Sequence, residues 1–201
     1  MSFRNEIKIK TNYKMVYRFY KWISDNNGKE IFEKRRVTSI YFDNDGFGTY
    51  DDSIEGVVPR KKIRLRTYNN FYFLKENEVF LENKYSSIEG RFKTVKKINN
   101  YKKVIFNGFI EPQYGVMKPK VKVDYYRKYF LCKNIRFTLD KNINYSRIDS
   151  FNNSKLSKNS DDIIIELKTK SNFIVDDFFK QNQFEKTRYS KYCNAVEQVF
   201  Y

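Results

Sequence analysis

Apolar and polar positions along this chain alternate with a period of two more often than they recur with the helical period. Residues 5–10, Asn-Glu-Ile-Lys-Ile-Lys, alternate strictly and predict a half-buried strand. Residues 12–25 change rhythm. Met15, Val16, Phe19, Tyr20 and Ile23 fall on one helical face, Asn12 is placed as N-cap and Gly28 as the stop. Strand patterns return at 36–43, 61–68 and 71–74, with Asn44-Asp45-Gly46 as a turn between the first two. Residues 79–85 and 90–94 read as a hairpin around Ser86-Ser87-Ile88-Glu89. A helical pattern over 95–106 carries Ile98, Tyr101 and Ile105 on one side, and strands follow at 120–131, 134–140 and 163–170. The polar stretch 152–162 reads as an exposed loop. Residues 190–201 predict a last helix with Cys193, Val196, Val199 and Phe200 turned inward. The pattern predicts an α+β fold, mostly antiparallel β, of about eight strands with flanking helices. With no internal repeat and no composition shift, residues 1–201 read as one domain.

In a strand, residues i and i+2 share a face. That groups Glu6 with Lys8 and Lys10; Lys62 with Arg64 and Arg66; Glu82 with Lys84; and Arg91 with Lys93. It also groups Tyr125 with Arg127; Arg136 with Thr138 and Asp140; and Glu166 with Lys168 and Lys170. Each strand alone is the ordinary solvent face of a half-buried sheet. Together they are dense in Arg, whose fork suits phosphate oxygens. If such strands close into a barrel covered outside by helices, the charged faces line the inside. An empty lumen of like charge is unstable, and a phosphate polymer with a cation would neutralise it.

Composition sharpens this. Lys and Arg total 40 against 24 Asp and Glu, a formal charge of +16, so polyanions are the first partners to consider. Tyr (17) and Phe (19) are numerous enough to build a core, which argues against disorder. Histidine is absent, which removes Ser-His-Asp and Cys-His nucleophile systems and His-ligated zinc together. The two cysteines, Cys132 and Cys193, read as buried thiols in a reducing compartment. Without a signal-peptide run or an apolar span, the expected location is the cytoplasm. A nucleic-acid binder would use the charge and the aromatics of Tyr125-Tyr126-Arg127-Lys128-Tyr129. Carboxylates interleaved with the basic residues break up such a stripe, and no nucleic-acid motif is present.

Several segments occur in a familiar order: Arg36-Val37-Thr38-Ser39-Ile40-Tyr41-Phe42-Asp43, Lys62-Ile63-Arg64-Leu65-Arg66-Thr67-Tyr68, Leu81-Glu82-Asn83-Lys84 and Arg91-Phe92-Lys93. Pro119, Tyr125-Tyr126-Arg127, Arg136-Phe137-Thr138-Leu139-Asp140, Ile165-Glu166-Leu167-Lys168 and Arg188-Tyr189-Ser190-Lys191-Tyr192 continue it. Nearly the whole chain thus resembles the VTC domain, the polyphosphate polymerase branch of the triphosphate tunnel metalloenzyme (CYTH-like) superfamily.

The resemblance implies a closed tunnel of eight antiparallel strands. It also implies transfer of the terminal phosphate of ATP to a growing inorganic polyphosphate chain, with Mn²⁺ or Mg²⁺. Carried over by position, Lys8, Arg64, Arg66, Lys84 and Arg91 or Lys93 would hold phosphates on one side and Arg127 and Arg136 on the other. Glu166 would be the principal metal ligand, aided by Glu6 or Glu82, with Lys168 beside it on phosphate. Lys62 and Tyr125, which share faces with Arg64 and Arg127, join the substrate-binding set, as do Ser190 and Lys191 at the start of the last helix. The triad Arg4-x-Glu6-x-Lys8 replaces the superfamily's Glu-x-Glu-x-Lys, as in the polymerase branch, and Arg188 stands where Lys is commoner. Two alternatives stay open: a triphosphatase, with water as acceptor, and a non-catalytic polyphosphate-binding module that would not need Glu166.

Overall fold

The computed structural model describes residues 5–69, 78–148, 156–169 and 173–201. Arg4 and the strand expected at 71–74 lie outside them. The fold is α+β and mostly antiparallel. Its strands are β1 (Asn5–Thr11), β2 (Lys29–Asp43), β3 (Arg60–Thr67), β4 (Phe80–Ser87), β5 (Gly90–Lys97), β6 (Phe109–Glu111), β7 (Gly115–Cys132), β8 (Ile135–Arg147), β9 (Ser157–Ser160) and β10 (Ile163–Thr169). The helices are α1 (Tyr13–Asp25), α2 (Gly48–Glu55), α3 (Tyr101–Asn107), α4 (Phe173–Asn182) and α5 (Lys191–Phe200).

Hydrogen-bonded neighbours follow the order β1-β10-β8-β7-β2-β3-β4-β5, with β6 on β7 and β9 on β8. The path has eight strands, as expected, and β6 and β9 bring the described strands to ten; among the described residues no ladder joins β1 to β5, so "closed" is slightly too strong. β9 falls inside the stretch expected as a loop, where it pairs with β8.

The chain packs as two compact units, each assembled from separate pieces. The first comprises Met1–Arg35, Tyr125–Ile143 and Ser160–Tyr189; the second comprises Arg36–Asp124, Asn144–Asn159 and Ser190–Tyr201. In the first unit, alternation sends Ile9 of β1, Phe137 and Leu139 of β8, and Ile165 and Leu167 of β10 into one core. The core is covered by Val16, Phe19, Trp22 and Ile23 of α1 and Val175 and Phe178 of α4. Trp22 meets Phe178 edge to face at 4.8 Å, a geometry aromatic rings favour. Asn12 caps α1, its side chain accepting from Met15 N at 3.0 Å, and Gly28 N closes the far end on Ile23 O at 2.7 Å.

In the second unit, Ile40 and Phe42 of β2 pack with Ile63 and Leu65 of β3, Tyr101 and Ile105 of α3, and Met117 of β7. Gly108 ends α3 at φ +70, where a Cβ would lie 2.2 Å from Met117 O, so no other residue fits there without moving backbone. Both cysteines are free and buried, as expected. In both units, the opposite faces of the same strands carry the charged residues.

Candidate functional site

In the second unit the register assembles a cationic face. Tyr41 lies opposite Arg64 and Ser39 opposite Arg66 across β2 and β3; Lys62 faces Lys84, and Arg64 faces Glu82, across β3 and β4. Lys84 faces Lys93 across β4 and β5. Lys62, Lys84 and Lys93 thus form one row across three strands, and like charges directly opposite destabilise a sheet unless an anion joins them.

A buried carboxylate answers this face. Glu82 is buried and accepts from Arg64 Nε at 2.8 Å, Arg64 Nη2 at 2.6 Å and Lys93 Nζ at 2.9 Å, with Arg66 Nη1 at 3.7 Å. Burial pushes its carboxyl upward, but Arg64, Arg66 and Lys93 outweigh that and hold it well below the usual carboxylate range.

The third edge of the Arg64 fork is aimed by Tyr41, whose hydroxyl accepts from Nη1 at 2.8 Å. Tyr41 in turn stacks on Tyr192 of α5 at 5.1 Å between ring centroids. The Tyr192 hydroxyl donates to buried Asp43, whose carboxylate also accepts from Thr49 N and Tyr50 N and so caps α2. Burial, with that carboxylate beside it, pushes the Tyr192 hydroxyl far above the usual phenol range. Ser190 is the N-cap of α5: its Oγ accepts from Cys193 N at 3.3 Å and from Lys62 Nζ at 3.0 Å. Lys191 is the first residue of that helix. Arg91, opposite Ser86 on β5, is exposed.

The first unit holds a second cluster, nearer to charge balance. Arg127 of β7 forks onto fully buried Asp140 of β8, Nε to Oδ1 at 2.6 Å and Nη2 to Oδ2 at 2.7 Å, and lies 3.8 Å from Glu166 Oε2. Burial works against the Arg127 charge, but Asp140 outweighs it and fixes the guanidinium as a cation. Its carbon sits 5.3 Å from the centroid of the buried Tyr125 ring. Lys168 Nζ meets Glu166 Oε1 at 2.9 Å and Glu6 Oε2 at 3.6 Å, while Lys8 Nζ donates to Tyr189 O at 2.7 Å and lies 3.9 Å from Glu6. Arg136 lies opposite Lys168 and is exposed.

Of the three expected metal ligands, Glu6 and Glu166 lie in the first unit, both paired with Lys168. Glu82 belongs to the second unit, its oxygens committed to cations. Among the described residues no three acidic or Cys side chains gather as a metal cage. Glu6 and Glu166 both pair with Lys168 Nζ, and two carboxylates are as many as a hard divalent cation ordinarily takes from protein beside water and phosphate.

Sequence reasoning passed over Tyr41, Asp43 and Tyr192, although period two places Ser39, Tyr41 and Asp43 on one face. Ser39 Oγ and Thr138 Oγ1 are buried with no hydrogen-bond partner among the described residues. Both lie on these charged faces, Ser39 opposite Arg66 and Thr138 opposite Glu166.

The fold has solved counterparts. A candidate adenylate cyclase from Vibrio parahaemolyticus superposes with a TM-score of 0.55 at 12% identity, over 98% of both chains. HpAC1 from Hippeastrum, a candidate adenylyl cyclase described with a dominant triphosphatase activity, superposes at 0.61 and 13% identity, over 98% of this chain and 96% of the other. Among curated proteins none matches the sequence. The sequence model of the VTC domain matches residues 3–118 and 109–200, and the chain belongs to the VTC domain family. Among the described residues no helix is long and apolar enough to cross a membrane.

Proposed function

We propose that this chain is a polyphosphate polymerase, acting as a single VTC domain, that transfers the terminal phosphate of ATP to inorganic polyphosphate. The observation that carries the reading is the excess of cations on β3, β4 and β5. Lys62, Lys84 and Lys93 stand in one row beside Arg64 and Arg66, with Glu82 as their carboxylate. A condensed phosphate presents an ionised oxygen at every unit and can meet several cations of that row at once. Two free, buried thiols agree with a reducing compartment such as the cytoplasm.

In the transfer, a terminal oxygen of the growing chain bonds to the γ-phosphorus of ATP while the bond from that phosphorus to the β–γ bridging oxygen breaks. ADP leaves with that oxygen. The attacking oxygen is already ionised, so no base is needed, in keeping with a chain that lacks histidine. Arg64 and Arg66, with Lys84 and Lys93, would hold the phosphates of one stretch; Arg127, Arg136 and Lys168 would neutralise oxygens in the first unit, with Lys8 beside them. Glu166 and Glu6 would hold Mn²⁺ or Mg²⁺, which would supply further neutralisation of phosphate charge.

A second reading, triphosphatase, draws on the dominant activity described for the Hippeastrum protein. Incubation with ATP and Mn²⁺, resolved on a gel, separates the two. Long polyphosphate is the expected product. ADP and orthophosphate alone, unchanged by added polyphosphate primers, would establish the triphosphatase. Tight polyphosphate binding without nucleotide consumption would leave a binding module.

A further inference from the structure

We infer that the Thr138 hydroxyl is a phosphate contact in the first unit, donating to an oxygen of the same condensed phosphate that Arg127 and Lys168 neutralise. The inference rests on the phosphate reading above and adds to it a residue whose hydroxyl that reading does not use.

Along β8, Phe137 and Leu139 enter the core, so Arg136, Thr138 and Asp140 share the opposite face. The register sets Thr138 directly opposite Glu166 and Arg136 opposite Lys168. Thr138 is 2% exposed, and its Oγ1 has no hydrogen-bond partner among the described residues. A buried hydroxyl is ordinarily bonded, because it gives up water on folding.

Acceptors are near but engaged. Asp140 takes the Arg127 fork with both oxygens, and Glu166 takes Lys168 on one oxygen with Arg127 near the other. Among the described residues no acceptor meets the Thr138 hydroxyl, beside a guanidinium and an ammonium. A phosphate oxygen supplies one, since its lone pairs can accept from the hydroxyl and from a neighbouring cation together. A carbon-only side chain of the same shape would fill the space without this unmet donor. Threonine at this position is therefore accounted for by the ligand.

The test compares wild type, Thr138→Val, Thr138→Ala and Thr138→Ser, each as the full chain. Tripolyphosphate binding is measured by calorimetry in EDTA, and thermal midpoints are measured without ligand. Thr138→Val is expected to keep or raise the ligand-free midpoint while weakening tripolyphosphate binding about tenfold or more, as for a hydrogen bond to a charged group. Thr138→Ser should restore binding. Thr138→Ala gives the same reading of affinity if the valine protein does not fold. A variant lacking the hydroxyl that binds tripolyphosphate as tightly as wild type would overturn the inference and leave the polymerase reading standing. Wild-type protein that binds no tripolyphosphate would overturn both.

Discussion

At Glu82 a single carboxylate answers Arg64, Arg66 and Lys93, and burial makes that balance hard to disturb. Glu82→Gln leaves Arg64 charged and buried without its counter-ion, so stability at neutral pH should fall by about 3–5 kcal/mol. The sign with pH follows from the lowered carboxyl. Its contribution is complete above the unfolded carboxylate pKa, about 4.3, and is lost as the pH falls below that value toward the lower folded one. Urea melts of the two proteins should therefore draw together as the solution is acidified below that point. A gap that stayed constant would show that Glu82 is not the titrating group. Glu166→Gln tests the other cluster: nearly isosteric, it removes a charge that a divalent ion needs. Turnover at limiting Mn²⁺ should drop by about two orders of magnitude or more, with the circular dichroism spectrum unchanged. Full activity in that protein would place the ion elsewhere.

Local signals decided which elements were legible in advance. In α1 the apolar period and the Asn12 cap agree, and the helix lies where they place it, although Trp22 joins the buried face unannounced. Asn12→Ala should cost about 1 kcal/mol in a chemical denaturation series and leave tripolyphosphate affinity as it was. Elsewhere the local pattern was silent or incomplete. Phe47, the N-cap residue of α2, is in the left-handed region and offers no cap of its own; Thr49 N and Tyr50 N donate instead to Asp43, at the end of β2. The helical pattern expected over 95–106 yields at its start to β5, because Phe80 pairs with Lys97 and Leu81 with Lys96, and only Tyr101–Asn107 coils. The α4 helix has as its signal Val175 and Phe178, three residues apart, and Phe178 packs on Trp22 of α1. The charged faces were legible because period two alone places them. Which carboxylate meets which cation was not, because that follows from strand register.

For the molecule as a whole, a charge of +16 makes affinity for condensed phosphate dependent on ionic strength. Tripolyphosphate should bind more weakly as sodium chloride is raised, and saturation at a hundred times the dissociation constant should add about 2.7 kcal/mol of stability. Thermal melts across a salt and ligand grid would show this. Orthophosphate at the same phosphorus concentration should do far less if the spaced cations act on one chain. EDTA should stop ATP consumption while leaving most of that thermal shift.

The ladder between β1 and β10, with Ile7 opposite Leu167, carries a consequence for how this protein is made. β1 leaves the ribosome on the order of ten seconds before β10 at ordinary synthesis rates. Until then its apolar side faces water and its backbone edge is open to any passing strand. Contacts this distant in sequence also form slowly. Substitutions along that ladder are thus expected to show first as aggregation during expression, with the soluble fraction that escapes retaining its specific activity.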